Sequence, residues 1–146
     1  MEKGGEKAEE VRDSFARAFP NDSFQIIHAN NFCISCFHGD LLLNEKLFDD
    51  NFLIVLKMRV SEGKQITNTE VFQSAFPWVY ESMKHPSVEE RRDFLYDNIR
   101  AVFEGYHALV LMFKKGQSWA APYAKGKANA VFADDYGDHD VIVVLY

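Results

Sequence analysis

Four lysines and two aromatic residues lie in a stretch of the chain that contains no acidic residue. Between Gly105 and Ala133 there is no Asp or Glu, although the whole chain has 22, and the basic and aromatic side chains of the stretch belong to Lys114, Lys115, Trp119, Tyr123, Lys125 and Lys127. The stretch has a formal charge of +4, which leaves −10 for the rest of a chain whose total is −6. Ammonium groups attract phosphate and carboxylate, and Trp and Tyr offer flat contact area at low entropic cost. The pattern predicts a surface that binds a protein partner or an anionic small molecule.

The connection that carries most of these residues, Gly116 to Gly126, is longer than a usual hairpin loop. Long connections of this kind are often functional. The alternative is a loop in which Trp119 packs onto the core and the lysines are only solvated. A triphosphate-binding loop is disfavoured, because Gly126-Lys127 is followed by Ala128 and not by the Ser or Thr that such loops need.

The segment from Asp134 to Asp140 combines four carboxylates with the imidazole of His139. Oxygen ligands at alternating positions can bind a hard cation. The spacing does not match an EF-hand loop. The favoured alternative is a solvated hairpin turn, because Asp and Gly accept the backbone angles of turns. No metal and no cofactor is predicted.

The two cysteines, Cys33 and Cys36, form a C-x-x-C pair inside an apolar segment that reads as a strand. A redox pair of the thioredoxin type needs the motif at the start of a helix, so a structural pair of buried thiols is the better interpretation. The histidines show no metal-ligand spacing. His38 and Asp40 flank a glycine, which fits a turn as readily as a catalytic pair, and no catalytic residue is predicted.

The length of 146 residues, with 47% hydrophobic residues and 13 Phe, predicts one domain over 6–146 with a flexible tail over 1–5. The net charge of −6 disfavours general binding to nucleic acid or to anionic membranes. The charged first residues lack the apolar core of a secretion signal, and no apolar run is long enough to span a bilayer. We therefore expect a cytoplasmic protein.

Hydrophobic periodicity predicts three helices, which cover 6–19, the region after Thr67 and the region after Ser87. The last two follow capping-box patterns. Strands are predicted at 24–29, 32–37, 51–60, 108–113, 128–133 and 141–146, with the first two forming a hairpin and 41–50 carrying a short helical turn. The order α-β-β-β-α-α-β-β-β predicts an α+β fold with one mostly antiparallel sheet of about five to six strands.

These patterns favour a non-catalytic binding protein, such as an adaptor, an inhibitor or an immunity-type protein, that uses the basic segment 114–127. One alternative is a small phosphate-processing or metal-assisted hydrolase that combines this segment with the acidic turn, which requires the two to meet at the ends of the last strands. A second alternative is a structural subunit that contacts its assembly through an edge strand or through the apolar helix Val71–Met83.

Overall fold

The computed structural model describes residues 4–30, 32–36, 40–47, 51–58, 66–114, 119–120, 130–136 and 139–146, and at 4–6, 23, 32–36, 114, 119–120 and 130–136 it describes the backbone alone. The described residues form three helices and eight strands. In chain order these are α1 (Gly4–Ala18), β1 (Ser23–Ala29), β2 (Phe32–Cys36), β3 (Leu41–Lys46), β4 (Phe52–Met58), α2 (Asn68–Ser82), α3 (Val88–Val102), β5 (Ala108–Lys114), β6 (Trp119–Ala120), β7 (Ala130–Tyr136) and β8 (His139–Leu145).

The strands divide between two antiparallel sheets of four. The first sheet has the order β3-β4-β1-β6, and the second has the order β2-β5-β8-β7. The chain passes from the first sheet to the second between β1 and β2, and back again between β2 and β3. The fold is therefore α+β, as predicted, with antiparallel sheets and three helices.

Three buried clusters join these elements into four layers. The two sheets face each other through a cluster made of Ile27, Ala29, Ile54, Leu56, Met58, Leu109, Leu111, Phe113, Ile142, Val144 and Tyr146. The outer face of the second sheet packs against α2 and α3, and the outer face of the first sheet packs against α1. Strands β5 and β8 are thus covered on both faces, and their unbroken apolar runs are typical of such strands.

The two predicted helix starts are present at α2 and α3. The Thr67 hydroxyl accepts a hydrogen bond from the Glu70 amide at 3.1 Å, and the Thr67 amide donates to the Glu70 carboxylate at 2.8 Å. The Ser87 hydroxyl accepts from the Glu90 amide at 3.1 Å. These bonds satisfy amides that would otherwise lack partners in the first turn. Beyond α3, Gly105 has a φ of 88°, a left-handed conformation that glycine adopts without steric cost.

The prediction of one sheet with five to six strands is not confirmed, because the eight described strands form two sheets. The predicted hairpin of β1 and β2 is wrong: β1 pairs with β4 and β6, whereas β2 pairs with β5. Alternating hydrophobicity identifies a strand but carries no information about its partner, and the short step between Ala29 and Phe32 crosses between sheets.

Two strands were not predicted. Residues 41–46 form β3 and not a helical turn. The first three residues of β3 are all leucine, so they lack the alternation of apolar and polar residues that predicts a strand. In the structure β3 is an exposed edge strand with a bulge between Leu41 and Leu43. Strand β6 is only two residues long and lies inside the segment predicted as a loop.

Helix α2 buries only part of its apolar surface. Val71, Ala75 and Val79 are buried, but Phe72, Phe76 and Tyr80 are exposed by 44%, 38% and 51%. The apolar residues of α2 cover more of its circumference than the second sheet can bury.

Candidate functional site

One end of the second sheet brings the start of the basic segment next to the acidic turn. Lys114 is the last residue of β5 and is paired with His139 of β8, and Phe113 is paired with Asp140. On the other side of β8, Tyr136 is opposite His139 and Asp135 is opposite Asp140. We call Lys114, Asp135, His139 and Asp140 the charged end of the second sheet.

The pairing between Asp135 and Asp140 places two acidic residues directly opposite each other on neighbouring antiparallel strands. Directly paired residues share a face of the sheet, with β-carbons about 4.5–5.5 Å apart. Like charges at directly paired positions generally repel each other. Asp140 and His139 are both half-buried.

The acidic turn lies between two strands that pair with each other. Strands β7 and β8 are antiparallel neighbours, and the last pair before the turn is Tyr136 with His139. The strands extend further into the acidic segment than expected, since Asp134, Asp135 and Asp140 all belong to them. Asp138 lies outside the described residues.

Two of the six predicted binding residues have described backbones. Lys114 ends β5 at the charged end, and Trp119 begins β6, where its backbone pairs with Ala29 at the edge of the first sheet. The segment thus leaves the second sheet at Lys114 and joins the first sheet at β6. Lys115, Tyr123, Lys125 and Lys127 lie outside the described residues, so their predicted role is neither supported nor opposed by the fold.

The C-x-x-C pair lies on a strand, as predicted. Cys33 pairs with Met112 and Cys36 pairs with Leu109 in the regular register of β2 with β5. Met112 packs towards the helices, whereas Leu109 packs towards the first sheet. The two cysteine positions therefore belong to opposite faces of the second sheet, which is not the arrangement of a redox pair at a helix start.

A buried polar cluster that the sequence analysis did not identify lies at the opposite end of the second sheet. The Tyr146 hydroxyl donates a hydrogen bond to a carboxylate oxygen of Asp40 at 2.7 Å, and both residues are almost fully buried. The His107 Nδ1 atom lies 4.0 Å from the same oxygen, which is too long for a hydrogen bond. The rings of His107 and Tyr146 stack with centroids 5.5 Å apart.

This cluster links the two sheets, because Asp40 immediately precedes β3 of the first sheet and Tyr146 follows β8 of the second. The backbones of His107 and Tyr146 exchange two hydrogen bonds of 2.7 and 3.0 Å, which extend the β5–β8 ladder by one pair. The proximity of His38 to Asp40 in sequence was the only available signal, and the described neighbours of the Asp40 carboxylate, His107 and Tyr146, are far away in the chain. His38 itself lies outside the described residues.

The remaining described histidines are dispersed. His28 is buried in β1, and the ring of His85 packs on Phe94 with centroids 4.7 Å apart. Across the described ranges, no group of three or more His, Cys, Asp or Glu side chains is arranged to hold a metal ion. None of the helices in those ranges combines the length and the apolar character needed to cross a bilayer.

Comparison with known proteins gives no relative: no protein-family model, no curated protein and no solved structure matches this chain.

Proposed function

We propose that the protein is a non-catalytic binding protein that engages a negatively charged partner through its basic, aromatic segment 114–127. The observation that carries the proposal is the separation of charge along the sequence, with +4 on an acid-free stretch and −10 on the remainder. A positive patch on an otherwise acidic molecule directs an anionic ligand, or an acidic protein surface, to one place.

The strands that hold the described parts of the segment, β5 and β6, support this proposal. Strand β5, which leads into the segment, is buried at every described side chain from Ala108 to Phe113. Strand β6 lies inside the segment and pairs with β1 of the first sheet. The described parts of the segment, Lys114 and Trp119–Ala120, are thus attached to the two sheets, and anchoring of a contact segment lowers the entropic cost of association.

The aromatic residues give the first test. The experiment measures which molecules wild type, Trp119→Ala and Tyr123→Ala each retain from a native lysate. It also measures the melting temperature of each protein. We expect a loss of specific retention with little change in melting temperature, because interface aromatics contribute to binding and not to folding. A large fall in melting temperature would contradict the proposal by placing the two rings in the core.

A metal-assisted or phosphate-processing hydrolase is the second candidate, and the register of the second sheet favours it. Lys114 lies beside His139, and Asp140 lies between Phe113 and Asp135. The start of a phosphate-holding segment and carboxylates suited to a cation are therefore at the same end of the sheet. In this mechanism Asp135, Asp138 or His139 would bind a metal or transfer a proton.

Thermal shift with magnesium, manganese and zinc tests this second candidate. A metal that binds the folded state raises the melting temperature, and the rise continues with the logarithm of metal concentration above the dissociation constant. The matched control is Asp135→Asn, which removes one carboxylate of the pair and leaves the backbone unchanged. Stabilisation of wild type but not of the variant supports the hydrolase, and equal responses of the two proteins contradict a metal site here.

A further inference from the structure

We draw no further inference here: the strongest candidate, the exposed face of helix α2 formed by Phe72, Phe76 and Tyr80, carries none because nothing in the part of the chain that the structure describes shows what covers it.

Discussion

The hydrogen bond between Tyr146 and Asp40 offers the sharpest test of how the two sheets are held together. Tyr146→Phe removes only the hydroxyl that donates to the Asp40 carboxylate at 2.7 Å. The ring that stacks on His107 is retained, and so are the two backbone hydrogen bonds between His107 and Tyr146. Any change in stability therefore reports on the side-chain hydrogen bond.

The expected cost follows from the burial of both partners. Asp40 is 0% exposed and Tyr146 is 1% exposed, so water does not replace the lost donor without local opening. A hydrogen bond to a charged group contributes about 1.5–3 kcal/mol, and the variant removes one such bond from the buried Asp40 carboxylate. For a chain of this size each kcal/mol corresponds to roughly 2–4 °C, so the melting temperature should fall by about 3–12 °C.

Urea unfolding at neutral pH, followed by circular dichroism, gives the free energy of unfolding of wild type and variant. The matched control is Tyr106→Phe, because the Tyr106 hydroxyl makes no hydrogen bond to the part of the chain that the structure describes. We expect a change within about 0.5 kcal/mol for the control. If Tyr146→Phe is as neutral as the control, the cluster does not join the sheets and the reasoning is refuted.

Three further changes test other parts of the fold. Thr67→Ala removes the capping box of α2 and should lower the free energy of unfolding by about 1 kcal/mol. The control Thr69→Ala should change it by less than about 0.5 kcal/mol. Equal effects of the two variants in urea unfolding would show that the cap does not stabilise the helix. Leu111→Ala opens a cavity between the two sheets, because Leu111 is 0% exposed. The free energy of unfolding should fall by about 2–5 kcal/mol. A smaller fall would contradict close packing of the two sheets. Lys57→Gln breaks the surface ion pair with Asp22. The free energy of unfolding should fall by no more than about 1 kcal/mol, because solvent screens an exposed pair. A larger loss of stability in thermal melts would contradict this expectation.

Local patterns predicted the elements of the fold better than their arrangement. The unbroken apolar runs of β5 and β8 identified strands covered on both faces, and the caps at Thr67 and Ser87 fixed two helix starts. These signals depend on residues that are close in sequence. The division into two sheets depends on pairings such as β1 with β4, which no local pattern specifies.

The exposed row on α2 could not be predicted from the helix alone. Phe72, Phe76 and Tyr80 are as apolar as the buried Val71, Ala75 and Val79, and only the position of the sheet under α2 decides which residues are covered. Hydrophobicity identified the residues that can be buried, and the tertiary arrangement determined which of them are.

The candidate site was anticipated in part. The sequence indicated that the basic segment and the acidic turn lie at the ends of the last strands, and the register brings Lys114 next to His139. The facing pair of Asp135 and Asp140 was not anticipated, because it depends on the register of β7 with β8. The Asp40–Tyr146 contact was missed for a similar reason, since its two residues are 106 positions apart.

One comparison tests the proposed binding segment most directly. Three proteins are immobilised and exposed to the same native lysate. The first is wild type, and the second is a variant with Lys114, Lys115, Lys125 and Lys127 all changed to Gln. The third is a charge-matched control with Lys3, Lys7, Lys46 and Lys64 changed to Gln. Retained proteins and small molecules are quantified by mass spectrometry. We expect a species that is held by wild type and by the control but is lost from the segment variant. Raising the salt concentration should release the same species from wild type. Equal retention by all three proteins, or equal loss from both variants, would contradict a binding site on the basic segment.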